Sequence, residues 1–157
     1  MNKQTKIILL FFGTILVFTG GATVFYKVRG LRNNNAGNIE LGDSWLGRVS
    51  DDKQTDERFV QFVTPEYGIR AIAKILDSYK RRGVLSIRQI LSTYAPSFEN
   101  NVDAYVNSVT SSTGFSENHI PIKGAGDYLP LIKAIIKHEN GFNPYSDRLI
   151  NDGIALS

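Results

Sequence analysis

The pattern of apolar and polar positions divides the chain in two. Residues 7–26 form an uncharged, mostly apolar run that begins Ile7-Ile-Leu-Leu-Phe-Phe12. As a helix at about 1.5 Å per residue it spans about 30 Å, the thickness of a bilayer core. Phe25-Tyr26-Lys27 follows it, where a cleaved signal peptide would carry a small-residue Ala-x-Ala site. The pattern therefore predicts an uncleaved transmembrane signal anchor over residues 1–28. Lys3 and Lys6 precede the run, while Lys27, Arg29 and Arg32 follow it, so the flanking cations do not set its orientation.

Residues 29–50 are rich in Asn and Gly and predict turns with short strands. Segments 38–41 and 45–49 are expected to pair across Gly42-Asp43-Ser44, and residues 58–63 read as a third strand. Beyond them the period changes from two to 3.6. Ile69, Ile72, Ala73, Leu76 and Tyr79 make one helical stripe. That helix starts at the Thr64 cap with Pro65 in its first position, and it stops at Gly83. Ser86 caps a short helix ended by Pro96, a third runs from Val102 towards Gly114, and Asp127 is expected to cap a fourth reaching Glu139. A last short helix is expected at residues 147–154. The predicted fold class is α+β, mainly helical: one N-terminal transmembrane helix, then a single small domain over residues 29–157.

Charge narrows the partners. The formal net charge is +3. Setting aside Lys3, Lys6 and Lys27 leaves as many Lys+Arg as the 15 Asp+Glu. The basic excess thus belongs to the N-terminal segment, and no nucleic-acid partner is expected. There is no Cys, which excludes disulfides, thiolate metal sites and a Cys nucleophile; with two His and no HExxH spacing, no metal site and no cofactor are expected.

Glu139 is the most informative carboxylate. It lies three, four and seven residues after Ile136, Ile135 and Ile132, on the apolar face of its helix. Burial there, and the negative end of the helix dipole, both favour the protonated form that a general acid requires. The other reading is a rim residue paired to a basic neighbour. Glu99 is a second candidate acid, alternatively a residue that caps the helix after it. Asn33, Asn34 and Asn35 suit sugar hydroxyls and N-acetyl groups, or equally turns in left-handed conformation. Trp45 suits stacking on a sugar ring or core packing, and Tyr94, Tyr105 and Tyr145 carry the same two readings.

Ala134-Ile-Ile-Lys-His-Glu139-Asn-Gly-Phe-Asn-Pro144 resembles the helix end that carries the catalytic Glu in lytic transglycosylases, with Asn140 in place of a Ser. The segments from Asn33 to Ile39, Trp45-Leu-Gly47 and 59–71 resemble the β-hairpin region of bacterial glucosaminidases, which in those enzymes follows the Glu helix. Together the two resemblances imply a circularly permuted lysozyme-like domain. Arg29-Gly-Leu-Arg-Asn-Asn-Asn-x-Gly-Asn-Ile39, Gly68-Ile-Arg-Ala71, Ala95-Pro-x-x-Glu-Asn100 and His138-Glu-Asn-Gly-x-x-Pro-Tyr145 resemble a phage and prophage family of virion structural proteins, including those of corticovirus-type phages with an internal membrane. This chain has Ala36 and Val102 where that family usually has Pro and Thr.

The resemblances imply a membrane-anchored phage protein that cleaves the glycan strands of peptidoglycan. Glu139 would act as general acid and then base, and Asn33, Asn34, Asn35, Trp45, Tyr94, Tyr105 and Tyr145 would bind substrate. The expected partners are a lipid bilayer, peptidoglycan and capsid proteins. The expected location is a virion internal membrane or the host inner membrane, with the domain facing the periplasm. The alternative is a non-enzymatic structural membrane protein of the virion.

Overall fold

The computed structural model describes residues 28–95 and 101–157. Six α-helices make up the regular structure: α1 (Arg29–Arg32), α2 (Pro65–Arg81), α3 (Ile87–Tyr94), α4 (Val102–Thr113), α5 (Tyr128–Asn140) and α6 (Asp147–Ala155). Short 3-10 turns occupy Asp51–Lys53 and Lys123–Ala125. Local chemistry accounts for several of the ends. Ser86 and Gln89 form a reciprocal capping box at α3. Asn101 caps α4 through the Ala104 N–H, and Gly114 closes that helix in left-handed conformation. Thr64 and Asp127 precede α2 and α5 without side-chain capping bonds; Asp127 instead accepts from the Ile122 N–H and pairs with His119.

Among the described residues there is no β-strand, which corrects the expected α+β class to all-helical. The segments expected as strands meet only through two isolated antiparallel bridges, Glu40 with Phe59 and Arg48 with Phe62. Side chains occupy the positions a ladder would need. The Phe59 and Arg58 N–H groups donate to Asp56, the Gln61 N–H donates to Gln54, and the Thr55 N–H donates to Gln61. Left-handed conformations at Asn34, Asn38 and Gly47 turn the chain too often for an extended run. Segments 38–41 and 45–49 do not pair with each other but lie separately against 58–63. A circularly permuted lysozyme-like domain needs a β-hairpin, and the described residues have none.

The expected anchor at residues 7–26 lies outside the described residues. Among the described residues no helix is long and apolar enough to cross a membrane. The longest, α2, has 17 residues and carries Arg70, Lys74, Asp77, Lys80 and Arg81 along its length. The expectation of a single-pass membrane protein is corrected accordingly.

The core gathers Ile69, Ile72 and Leu76 of α2, Ile87 and Leu91 of α3, Tyr105 and Val109 of α4, Leu131, Ile132, Ile135 and Ile136 of α5, and Ile150 of α6. α6 packs along α2, and α4 along α5. Gly153 lets the first pair approach closely: a Cβ there would lie 2.7 Å from Ile69 and 2.9 Å from the Glu66 carbonyl. Gly68 does the same for the Asn-rich loop, because a Cβ at that position would strike the Asn34 carbonyl.

Candidate functional site

The loop at residues 33–39 is built around two buried asparagines and one buried carboxylate. The Asn35 amide donates to the carbonyls of Ile39 and Val60 and accepts from the Ile39 N–H, so it closes the loop from within. The Asn33 amide donates to Asp56 at 2.7 Å. Asp56 also takes a two-pronged contact from Arg29, at 2.7 and 2.6 Å, and has Arg32 at 3.6 Å. The Arg29 guanidinium, with help from the Phe59 N–H and Asn33, holds the Asp56 carboxyl well below the usual range against the opposing cost of burial. Asn34, in left-handed conformation, donates to the Phe62 carbonyl. The three asparagines expected to touch sugar therefore spend their side chains on the scaffold.

What the scaffold presents is Asn38. Its backbone is left-handed, with φ of 50°, and its amide donates to Glu139 Oε2 at 3.0 Å. Glu139 sits in the last turn of α5, half-buried, two residues before Gly141 takes the left-handed cap. The neighbouring Asn140 amide donates to the Ala36 carbonyl and locks the loop onto the helix end. From α4, the buried Tyr105 hydroxyl donates to Glu139 Oε1 at 3.0 Å. The Tyr105 ring stacks on His138 with centroids 3.6 Å apart. Tyr94, at the end of α3, donates its hydroxyl to the Gly37 carbonyl at 2.7 Å.

Burial raises the Glu139 pKa, and the hydrogen bonds from Asn38 and Tyr105 pull the other way without cancelling it. The C-terminal end of the α5 dipole adds to the rise. Burial and the nearby Glu139 charge push the Tyr94 and Tyr105 hydroxyls well above the ordinary tyrosine range, so both remain donors at neutral pH. Burial lowers the His138 pKa, which keeps its stacked ring neutral near pH 7. A carboxyl with a raised pKa and two fixed donors is suited to giving up a proton and taking one back.

A cleft of about 520 Å³ lies between the loop that carries Asn38 and α2, and Glu139 is not among its lining residues. Ile39, the residue after Asn38, stands in its wall with Leu41 and Trp45, opposite Lys74 and Tyr79 of α2 and Arg82 at the end of that helix. Trp45 is half-buried against the core as well as lining the cleft, so both of its expected roles are compatible with its position. Tyr145 is tied to Asn143 in the turn before α6: its N–H donates to Asn143 Oδ1, and its carbonyl accepts from the Asn143 amide. Glu99 lies outside the described residues. No group of His, Cys, Asp and Glu able to hold a metal occurs among the described residues.

No family model matches the chain. Its sequence is 40% identical over 130 residues to Protein P5 of Pseudoalteromonas phage PM2, covering 80% of this chain and 79% of that protein. The chain belongs to the Protein P5 family. It is thus related to a bacteriophage protein along most of its length.

Within this member of the Protein P5 family, sequence reasoning singled out Glu139 and Tyr105, which the fold brings together, but it passed over Asn38 and His138. Asn38 carried one usable signal. It follows Gly37 in an Asn-rich turn, where Asn is the non-glycine residue best able to adopt the left-handed conformation. Nothing in periodicity links it to a helix end in the other half of the chain.

Proposed function

We propose that this protein of the Protein P5 family cleaves the glycan strands of peptidoglycan during infection or release, with Glu139 as the proton donor to the glycosidic oxygen. The observation that carries this reading is the state of Glu139: a carboxyl with its pKa raised by burial and fixed by Asn38 and Tyr105. Ile39, next to Asn38 in the chain, leads into a cleft lined by Trp45 and Tyr79. In a transglycosylase-type route the same group, once ionised, draws a proton from the sugar's own hydroxyl and leaves an anhydro end. A hydrolytic route needs a second carboxylate about 5 to 9.5 Å away. Two-donor fixation of Glu139 suits the single-residue route, in which one side chain serves both proton transfers. The proposed substrate contacts are Trp45, Tyr94 and Tyr145, while the buried Tyr105 positions Glu139. Asn33, Asn34 and Asn35 act one step removed, holding the loop that delivers Asn38. The domain at residues 29–157 would carry the whole site.

The test is Glu139→Gln, which keeps the shape and removes the transferable proton. Release of soluble fragments from purified peptidoglycan should fall on the order of 100-fold or more, with the circular dichroism spectrum unchanged. Full activity in that variant would overturn the assignment.

One observation favours a second reading, a structural component of the phage particle that contacts capsid proteins. Glu139 joins the loop at Asn38 to α4 at Tyr105, which also describes a structural cross-link. Under that reading the wild type releases no fragments, and Glu139→Gln changes stability alone.

A further inference from the structure

The cleft that begins at Ile39, the residue after Asn38, has a polarity of its own. Lys74 and Ser78 of α2 and Arg82, the residue that follows the helix, recur every four residues along one side, with Ile75 and Tyr79 beside them. All five line the cleft. Lys74 and Arg82 have no carboxylate partner among the described residues, and the Arg82 guanidinium lies over the Tyr79 ring, 5.0 Å from its centroid. On the facing wall, Glu40 is already held by Arg58 at 2.6 Å, which leaves Asp43 at the loop turn as the opposing charge. Trp45 lines the same wall, and its indole N–H has no hydrogen-bond partner. Aromatic surface on one wall and two uncommitted cations on the other suit a sugar chain that carries carboxylates.

We infer that this cleft binds the carboxylate-bearing part of the glycan, the lactyl and peptide-stem carboxylates of muramic acid residues, with Lys74 and Arg82 as the anion contacts and Trp45 as the sugar platform. The inference rests on the peptidoglycan reading and deepens it. Neutral chitin-type chains offer the same sugar faces without the charge. The cleft therefore discriminates between the two glycans through α2, while Glu139 performs the same chemistry on either.

Trp45 is the single tryptophan of the chain, so its fluorescence reports on this cleft directly. The experiment titrates the full chain, as Glu139→Gln so that nothing is consumed, with a muropeptide tetrasaccharide, the same tetrasaccharide with its carboxylates amidated, and chitotetraose. The carboxylate-bearing ligand should bind about tenfold tighter than the other two at low salt, and the gap should close as salt rises. Lys74→Gln with Arg82→Gln should abolish the gap and leave chitotetraose binding unchanged. Lys74→Gln alone should narrow it, which covers the case in which losing Arg82 disturbs the helix end. Equal affinity for all three ligands, or a gap that survives the double substitution, would overturn the inference. Loss of cleavage in Glu139→Gln together with an unchanged gap in the double variant would sink the cleft assignment and leave the proposed function standing. A wild type that cleaves nothing would sink the proposed function, and the fluorescence titration would still decide what the cleft binds.

Discussion

Asn38 donates its side-chain amide to Glu139 at 3.0 Å across 101 residues of chain. That bond links the loop after α1 to the last turn of α5, and it is one of two donors that oppose the effect of burial on the carboxyl. Its removal has a definite electrostatic sign. Asn38→Gly keeps the left-handed backbone and deletes the donor. The Glu139 pKa should rise further, so the alkaline limb of the cleavage profile should move to higher pH. A rate–pH profile of fragment release checks this, and an unmoved limb would show that Asn38 does not act on the proton.

Tyr105 provides the matching test from the other oxygen. Tyr105→Phe removes the hydroxyl and keeps the ring stacked on His138. Loss of one hydrogen bond to a charged group costs about 1.5 to 3 kcal/mol in the state that needs it. Here that state is ionised Glu139, so the alkaline limb should move in the same direction as for Asn38→Gly. A change in melting temperature with no movement of the limb would assign Tyr105 a packing role only.

The raised pKa of Glu139 also fixes how stability responds to pH. A group whose folded pKa lies above its unfolded value contributes stability that is fully present below the unfolded pKa, about 4.3 for Glu, and is lost as pH rises through the folded pKa. Glu139→Gln has no such proton. The wild type should therefore lose melting temperature relative to Glu139→Gln as pH rises from acid towards neutral and beyond. Parallel pH dependences in the two proteins would mean that Glu139 is not held in a desolvated site.

The helices were legible in the sequence because their signals are local. Ser86 and Gly114 mark ends that involve only neighbouring residues, and the 3.6 period of Ile69, Ile72, Leu76 and Tyr79 reports a buried face directly. The segments around residues 38–63 misled for the complementary reason. Their residue types favour extended backbone, and a few backbone bonds do form against 58–63, but Asp56, Gln54 and Gln61 side chains take the N–H groups between them and break up the ladder. No period encodes such bonds. The candidate site divides in the same way. The apolar stripe ending at Glu139 was visible, whereas its partner Asn38 is set by a loop whose shape depends on Asp56, Arg29 and the Asn34 carbonyl against Gly68.

Asp56 ties that loop to α1, which gives the last prediction. Its carboxyl is 5% exposed and accepts from Arg29, Asn33 and two backbone N–H groups. Removing one partner of a buried ion pair costs about 3 to 5 kcal/mol, and Arg29 is partly exposed, so the lower figure applies to Asp56→Ala. A carboxyl with a depressed folded pKa contributes stability that is present above its unfolded pKa, about 3.9 for Asp, and is lost as pH falls through the folded value. The destabilisation of Asp56→Ala relative to wild type should therefore be full at neutral pH and should shrink as the wild type is acidified below about pH 4. Loosening Asn33 should also release Asn38 from Glu139, so cleavage should fall by more than the folded fraction accounts for. Denaturant unfolding across pH, with fragment release normalised to folded protein, separates the two effects. A variant that unfolds more easily yet cleaves normally once corrected for folding would show that the Asp56 cluster supports the fold and not the placement of Asn38.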